Sequence, residues 1–289
     1  MKKWMSNLNN DNKWTSINII PSTHNSGAIH PLKKYKCIQW FWAKCQNHSI
    51  KSQLNMGVRG LDIRLTIDDD KIYVSHTFIS EITYYDVLAT IKDFLTENPS
   101  EFIFLFIKPD WPTKNKWDNN NVSLLWENTY NFNQKYKPET NIFIKNKNIN
   151  LQNINIKDIR GKLIIIPDGK FSPSTNDQSF IRFAILPFNI FKVCETWNKC
   201  NFSDGKSTII RFIEKNCKAN NEKKTMYNII QFNIVINPLP PYFISKCMND
   251  WLQSILSVFK LYKLGFISID FANIDIIESL VQHVLCTND

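Results

Sequence analysis

The chain has no apolar run near the roughly 18 residues that identify a membrane-spanning helix. Lys2 and Lys3 stand where a secretory signal peptide carries its charges, but no apolar stretch of about 7–15 residues follows them. These two absences favour a soluble, cytoplasmic protein with neither a signal peptide nor a transmembrane segment. Export by a non-standard route stays open.

The seven cysteines lack the closely paired spacing that is typical of a zinc site or a redox dithiol. Because their number is odd and their spacing irregular, free thiols in a reducing compartment are the simplest interpretation. The cysteines are Cys37, Cys45, Cys194, Cys200, Cys217, Cys247 and Cys286.

Neither an internal repeat nor a linker of biased composition divides the chain. Hydrophobic residues make up 43% of it and charged residues 21%, which is enough apolar material for one folded domain over residues 1–289. The net charge of +9 favours an anionic partner, such as a nucleic acid, a membrane surface or a phosphorylated substrate. The lysines are scattered and accompany no recognition motif, so a nucleic acid is not the expected partner.

Eight short apolar runs rich in Ile, Val and Phe alternate with helix-like segments. Continuous apolar runs are typical of buried parallel strands, since helices cover both faces of such a sheet or the sheet closes on itself. This pattern predicts an α/β fold, a (β/α)8 TIM barrel in which residues 111–158 form a variable excursion between strands four and five. The runs cover residues 17–20, 57–65, 71–76, 101–108, 162–166, 188–193, 227–236 and 265–271.

Polar or titratable residues lie at the carboxyl ends of five of these runs, and in a barrel such ends converge on one mouth. The set supplies two histidines for proton transfer, an arginine for an anionic group and carboxylates that orient an imidazole. This combination favours phosphoryl transfer without a covalent enzyme intermediate, as in cyclisation onto a neighbouring hydroxyl. The residues are His24, Asp62, Arg64, His76, Lys108 and Asp270.

Six ordered motifs resemble the X domain of phosphatidylinositol-specific phospholipase C, in its bacterial-type, metal-independent branch and single-domain relatives. The resemblance runs from about residue 17 to the C-terminus and is weak over residues 111–158. It implies a distorted barrel without a metal or other cofactor that cleaves phosphatidylinositol, or a related lipid, to diacylglycerol and a cyclic inositol phosphate. The motifs are IPSTHNSG, QNHSIKSQLNMGVRGLDIRL, VSHTF, FLTENPSEFIFLFIKPD, IRGKLIIIPDG and GFISIDFAN.

The resemblance also assigns catalytic roles to the residues at the strand ends. It implies that His24 is the general base and that His76 is the general acid that protonates the departing diacylglycerol oxygen. Asp270 would orient His24, Arg64 would hold the phosphate, and Asp62 would lie in the network beside it.

Asn25 departs from the bacterial pattern, which has an aspartate after the first histidine as the partner of the general acid. An amide can hydrogen-bond His76, but it cannot offset the charge of an imidazolium, so acid catalysis would be weaker or would rely on Asp62. The calcium-dependent branch of the family also has asparagine at this position.

The pocket for the inositol ring matches the family in part. The resemblance places Lys108 and Asp110 on inositol hydroxyls, Glu195 beside them as a further acidic residue, and Trp197 against the face of the ring. An arginine that the family has near Asp168 is missing, which bears on headgroup specificity rather than on the type of reaction.

Three consecutive aromatic residues, Trp40, Phe41 and Trp42, lie among lysines in CIQWFWAKCQNH. Such aromatics and cations at a barrel rim suit peripheral contact with an anionic membrane surface. NPLPPYF, at 237–243, is a candidate for a second contact. The expected partners are therefore an inositol phospholipid substrate and a membrane surface, with the protein itself a monomer.

Two other functions remain open from the sequence. A metal-dependent barrel of the glycerophosphodiesterase type needs acidic metal ligands after the second strand, but an arginine, which cannot ligate a metal, stands at position 64. A catalytically weak protein that binds phosphoinositides or anionic membranes would explain Asn25 and the missing arginine. It would not require two histidines and Arg64.

Overall fold

A computed structural model describes residues 1–29, 42–136, 142–144, 149–174, 184–196, 201–218, 227–233 and 239–287. Within these ranges nine strands form one sheet. The strands are β1 (Ile19–Thr23), β2 (Gly60–Asp68), β3 (Lys71–His76), β4 (Phe78–Thr83), β5 (Ile103–Pro109), β6 (Leu163–Pro167), β7 (Phe191–Cys194), β8 (Tyr227–Gln231) and β9 (Gly265–Ile269). The α-helices are α1 (Ile50–Met56), α2 (Tyr84–Glu97), α3 (Asn119–Lys135), α4 (Ile156–Ile159), α5 (Phe202–Asn216), α6 (Pro241–Ile255) and α7 (Ile274–Thr287). Short 3-10 helices cover Trp4–Asn7, Trp14–Ser16, Trp111–Lys116, Leu151–Asn153, Gly169–Phe171 and Phe188–Ile190.

Seven strands pair in parallel, in the order β6, β5, β2, β1, β9, β8, β7. The two outer strands, β6 and β7, share no ladder in the part of the chain that the structure describes. Ile165 of β6 instead makes an isolated parallel bridge to Ile185, which precedes β7. The sheet is therefore a barrel with one seam that regular strand pairing does not close.

Buried aromatic rings in the interior show that the sheet curls around on itself. The ring of Phe106 on β5 lies 5.7 Å from that of Phe191 on β7 and 5.0 Å from that of Phe266 on β9. Because β5 and β7 are far apart in the order of the ladder, these contacts require a common interior. Edge-to-face ring pairs of this kind stabilise a core beyond the apolar area that they bury.

The third predicted strand is not a parallel barrel strand, and this part of the prediction is wrong. β3 runs antiparallel to the end of β2, and β4, which the sequence analysis missed, pairs antiparallel with β3. Asp69 and Asp70 form the turn between β2 and β3, with φ values of 47° and 56°. Two positive φ values are typical of the tight hairpin turn that matches strand twist. The hairpin turns the chain back, so His76 still reaches the mouth.

Helix α2 illustrates how local sequence fixes the outer layer. Thr83 and Asp86 form a reciprocal capping box, with Asp86 N 3.1 Å from Thr83 Oγ1 and Thr83 N 2.8 Å from Asp86 Oδ2. The helix buries a stripe consisting of Tyr84, Val87, Leu88, Ile91, Phe94 and Leu95. No described helix is both long and apolar enough to cross a membrane.

The segment before β1 closes the end of the barrel opposite the mouth. Trp14 is buried, and its ring lies 4.9 Å from that of Phe104 and 4.8 Å from that of Tyr227, near the starts of β5 and β8. The indole N–H donates to the carbonyl of Leu151 at 2.6 Å. The indole thus fills the barrel floor and satisfies its polar atom there.

Replacing Trp14 by alanine is expected to lower the free energy of unfolding by about 3–5 kcal/mol, because it empties a packed site at the barrel floor. Urea unfolding followed by circular dichroism measures this change. The matched control is Trp42→Ala, since the Trp42 side chain is 44% exposed and its loss should change stability by no more than about 0.5 kcal/mol. Equal effects of the two substitutions would contradict the role of Trp14.

Candidate active site

A cavity of about 640 Å³ opens at the carboxyl ends of the parallel strands. It brings together seven of the residues that the sequence analysis singled out, while Asp62 and Asp270 are buried and hydrogen-bonded directly to cavity residues. Trp40, Phe41 and Trp197 lie outside the described residues. The cavity is lined by His24, Asn25, Arg64, His76, Thr77, Lys108, Pro109, Asp110, Lys114, Asp168, Phe188, Glu195, Gln231 and Asn233.

The strand register places His24 beside Asp270. β1 and β9 are parallel with Thr23 opposite Ile269, so the next residue of each strand emerges at the mouth side by side. His24 Nδ1 lies 2.9 Å from Asp270 Oδ1, and the carboxylate accepts this hydrogen bond. Since Nδ1 is engaged, Nε2 is the ring nitrogen left for chemistry.

The Asp270 carboxylate also sets the protonation of His24. Burial lowers the pKa of His24, but the charge of Asp270 and its hydrogen bond outweigh burial and raise the pKa to about 9. The terminal amide of Asn233 touches the same ring, with Nδ2 3.0 Å from Nδ1 and 3.4 Å from Nε2. His24 therefore carries a proton at neutral pH until substrate binding or a rise in pH removes it.

Arg64 and Asp62 form a second charged pair on the same strand, β2. Arg64 Nη2 donates to Asp62 Oδ2 at 3.1 Å. Burial raises the pKa of Asp62, but Arg64 and Lys108 hold it well below the ordinary range, so Asp62 stays ionised. Asp62 is also absent from the one group of described residues that could hold a metal ion. The metal-dependent alternative therefore gains no ligand from it.

The guanidinium of Arg64 keeps donor capacity after pairing with Asp62. Its Nε is buried and has no hydrogen-bond partner. Burial lowers the pKa of Arg64, but the carboxylate of Asp62 raises it by a larger amount. The net shift is therefore upward, and the guanidinium stays charged. A buried, unpartnered N–H is costly to maintain unless a ligand accepts from it. Arg64 is thus equipped to bind an anion in the cavity.

His76 is held by the backbone and not by Asn25, contrary to the direct contact expected from the sequence. His76 Nδ1 lies 2.6 Å from the carbonyl oxygen of Ala43. The Asn25 amide instead points Nδ2 at the sulfur of Cys45, at 3.5 Å, and Cys45 Sγ lies 3.8 Å from His76 Nδ1. A thiol thus separates the two side chains, and a carbonyl oxygen orients His76.

The residues predicted for the headgroup meet on the far side of Arg64. Arg64 and Lys108 are register partners on the parallel strands β2 and β5. Burial lowers the pKa of Lys108, whose ammonium lies 4.8 Å from the ring centre of Phe188. Asp110 accepts a hydrogen bond from Ser75 Oγ at 2.6 Å. Ammonium and carboxylate groups therefore line the same part of the cavity, where they can donate to and accept from the hydroxyl groups of a ligand.

Four residues at the site were not predicted from the sequence as functional: Cys45, Gln46, Gln231 and Asn233. Gln231 ends β8 and Asn233 follows it closely, but both lie inside the apolar run 227–236, so the strand-end argument does not single them out. Gln46 Nε2 donates to the carbonyls of His24, at 2.8 Å, and Ile269, at 2.9 Å. Only the folded chain brings Gln46 and Cys45 to these strand ends, because they lie in the irregular segment before α1.

One group of metal-ligating side chains occurs among the described residues, consisting of His24, Cys45 and Asp270. One ligand atom of each lies within 4.8 Å of the others. Cys45 forms no disulfide. The group combines nitrogen, sulfur and oxygen donors, which suits zinc-like ions better than calcium.

Comparison with known proteins identifies relatives of this chain. The family described as phosphatidylinositol-specific phospholipase C, X domain, matches residues 20–167. A 1-phosphatidylinositol phosphodiesterase of Staphylococcus aureus is 27% identical over 175 residues, which cover 57% of this chain and 50% of that protein. The variant-surface-glycoprotein phospholipase C of Trypanosoma brucei is 46% identical over 69 residues, 22% of this chain and 19% of the relative. The chain thus spans about half or less of these relatives' length.

Solved structures extend the likeness to the whole fold. The phosphatidylinositol-specific phospholipase C of Listeria monocytogenes superposes with a TM-score of 0.77 and 19% identity, covering 98% of each chain. A Staphylococcus aureus phospholipase C structure that concerns modulation of membrane binding gives a TM-score of 0.72 at 21% identity, covering 96% of this chain and 97% of the other. The predicted distorted α/β barrel is confirmed.

Proposed function

Because the chain belongs to the family of phosphatidylinositol-specific phospholipase C X domains, we propose that it cleaves phosphatidylinositol or a related inositol phospholipid. The products are diacylglycerol and a cyclic inositol phosphate. The observation that carries the proposal is the arrangement of His24, Arg64 and His76 around one cavity, with Asp270 behind His24. This arrangement supplies a base, an anion-binding cation and an acid.

The reaction assigns one proton transfer to each histidine. His24 takes the proton of the inositol 2-hydroxyl through Nε2, and the hydroxyl oxygen forms a new bond to phosphorus. The bond between phosphorus and the diacylglycerol oxygen breaks, and His76 gives a proton to that oxygen. Asp270 stabilises the imidazolium that forms on His24. Because the attacking oxygen belongs to the substrate itself, the step needs no covalent enzyme intermediate.

Arg64 and the headgroup residues position the substrate for this step. Arg64 donates to the non-bridging oxygens of the phosphate, where negative charge develops. Lys108 and Asp110 bind ring hydroxyls as donor and acceptor, and Glu195 lines the same part of the cavity. Trp197 is proposed to pack against the ring and lies outside the described residues.

A rim of exposed aromatic residues beside the cavity suits contact with a membrane. Tyr242 and Phe243, at the start of α6, are 48% and 54% exposed, and Trp42 is 44% exposed. The Tyr242 ring lies 5.3 Å from that of Phe271, which follows Asp270, so this rim adjoins the catalytic pair. Exposed aromatics at the mouth would enter the interface and bring the cavity to the lipid.

Replacing Trp42 and Phe243 by alanine together is expected to lower turnover of phosphatidylinositol in vesicles while sparing a short-chain soluble substrate. The physical reason is that interfacial burial contributes only when an interface exists. Initial rates on both substrates measure the split. Leu261→Ala is the control, because Leu261 is 80% exposed near the opposite end of the barrel. Equal losses on the two substrates would remove these aromatics from membrane contact.

On a substrate with a nitrophenolate leaving group, which needs no general acid, the pH profile of kcat/KM is expected to rise about tenfold per pH unit and level off near pH 9. The pKa of His24 is raised to about 9, and only the deprotonated imidazole accepts the hydroxyl proton. Asp270→Asn removes the charge that raises this pKa, so the rising limb should move to lower pH while the plateau rate falls. A limb that stays in place in Asp270→Asn would show that His24 does not cause it.

The direct test is incubation of the purified protein with phosphatidylinositol vesicles in EDTA, followed by phosphorus NMR of the water-soluble product. A cyclic phosphodiester signal is expected. Vesicle binding without product would instead indicate a binding protein, and product only after addition of a divalent cation would indicate a metal-dependent barrel. A cytoplasmic location, a single domain over residues 1–289 and a monomeric state are further proposals, which cell fractionation, limited proteolysis and light scattering would test.

A further inference from the structure

We propose that His24, Cys45 and Asp270 form an inhibitory binding site for a soft divalent cation such as Zn²⁺. The proposal rests on the proposed function for its effect on turnover, but not for the binding itself. A metal ion held by these side chains would occupy the imidazole and the carboxylate that must otherwise accept and stabilise a proton. The ion would therefore switch off an enzyme that needs no metal for catalysis.

The backbone fixes the three donors together at the cavity wall. The amide of Cys45 donates to the carbonyl of Ala28 at 3.1 Å, and the carbonyl of Cys45 accepts from the amide of Phe271 at 2.7 Å. The second contact ties Cys45 to the residue that follows Asp270, and Asp270 already contacts His24 at 2.9 Å. The donors lie within 4.8 Å of one another without rearrangement of a strand.

The donor types select the class of metal. Zn²⁺ binds thiolate, imidazole and carboxylate, and three protein ligands leave one position for water or a substrate oxygen. Calcium takes about 6–8 oxygen ligands, whereas this group offers one carboxylate. The site should therefore hold Zn²⁺ or Co²⁺ and ignore calcium.

Charge in the surroundings permits a bound cation. The thiolate of Cys45 and the carboxylate of Asp270 together neutralise a divalent ion. Arg64, a permanent cation that lines the same cavity, is already paired with Asp62 at 3.1 Å. Binding releases the thiol proton and the proton on His24 Nδ1 to solvent, so the charges balance with no other ion required.

Two other side chains contact the Cys45 sulfur: the ring of His76, whose Nδ1 is held by the Ala43 carbonyl at 2.6 Å, and the amide of Asn25. Asn25 donates its amide N–H toward the sulfur, and its Oδ1 is buried without a hydrogen-bond partner. This unpartnered oxygen, 3% exposed with the rest of Asn25, is available to accept from a water molecule on the metal. The site therefore contains a second polar group with unused capacity next to the three ligands.

The binding test is titration of the purified full chain with Co²⁺, because a Co²⁺–thiolate bond absorbs in the near ultraviolet. Wild type and Cys247→Ser, whose substitution removes an exposed thiol on α6, are expected to show this band at one equivalent. Cys45→Thr should lack it. Asp270→Asn, which keeps the thiol, should show the band with affinity lowered at least ~10-fold. No band in wild type, or an unchanged band in Cys45→Thr, would overturn the proposal.

The inhibition test uses Zn²⁺ against turnover of phosphatidylinositol, with each variant compared with its own metal-free rate. Wild type and Cys247→Ser should lose activity and regain it in EDTA, and Cys45→Thr should need at least ~10-fold more Zn²⁺. Equal inhibition of wild type and Cys45→Thr would contradict the site. The Co²⁺ band does not depend on turnover. A protein without activity would therefore contradict the proposed function, while the Co²⁺ titration would still test the metal site.

Discussion

His24→Ala and His76→Ala should each lower turnover of phosphatidylinositol by at least the ~10²–10⁴-fold that a positioned acid or base contributes. His24→Ala removes the nitrogen that takes the hydroxyl proton, and it leaves the Asp270 carboxylate, 2.9 Å away in the wild type, without its partner. His76→Ala removes the proton donor, the imidazole that the Ala43 carbonyl holds in place at 2.6 Å. Initial rates on vesicles at saturating substrate measure both losses.

The leaving group separates the two roles. A substrate whose leaving group is a stable anion, such as nitrophenolate, needs no general acid, so His76→Ala should recover most of its loss on it. His24→Ala should stay impaired on both substrates, since attack by the hydroxyl still needs a base. His283→Gln, a change on α7 away from the cavity, is the control and should retain activity. Near-normal activity in either alanine variant would remove that histidine from the mechanism.

The strand-end rule predicted that His24 and Asp270 lie at one mouth, and the family resemblance implied that Asp270 orients His24. Parallel neighbours emerge at one edge of a sheet, and each residue follows an apolar run. The register of Thr23 opposite Ile269 turns that rule into a contact. Arg64 and Lys108 meet for the same reason, as register partners on β2 and β5.

The β2–β3 hairpin escaped prediction because its turn, Asp69 and Asp70, carries no glycine. Asp69 and Asp70 adopt positive φ, which such turns usually assign to Asn-Gly or Asp-Gly pairs. The apolar run 71–76 was therefore placed in the barrel as a parallel strand. The prediction that His76 lies at the mouth rests on its place at the end of that run, and it agrees with the structure because an antiparallel return from β2 ends at the level of Asp62 and Arg64.

Cys45 escaped prediction for a different reason. It belongs to an irregular segment, where no periodicity indicates which way a side chain points. An amide at position 25 can hydrogen-bond His76, but the thiol lies between the two side chains, 3.5 Å from Asn25 Nδ2 and 3.8 Å from His76 Nδ1. Such a contact depends on tertiary packing of β1, the segment before α1 and the hairpin, and no local pattern encodes it.

Arg64→Lys is expected to lower turnover by roughly 10²–10³-fold, as loss of one preorganised donor does, although the positive charge is kept. A guanidinium binds two oxygens of a phosphate with a planar pair of N–H groups, and a lysine ammonium cannot. Arg64 is prepared for this, since Nη2 binds Asp62 at 3.1 Å and the buried Nε has no partner. Rates of Arg64→Lys and Arg64→Ala on the same vesicles measure how much of the turnover depends on the paired N–H groups of the guanidinium and how much depends on its charge.

The same residue predicts that wild-type turnover needs no calcium. The resemblance is to the metal-independent branch, and where the calcium-dependent branch of the family has an acidic ligand this chain has the guanidinium of Arg64, which repels a cation and fills its space. Wild-type rates should therefore be equal in EDTA and in calcium. Arg64→Asp, beside Asn25 and Asp62, would place two carboxylates where the cation was and should acquire some calcium-dependent turnover. If EDTA silenced the wild type and calcium restored it, Arg64 could not be the group that holds the phosphate.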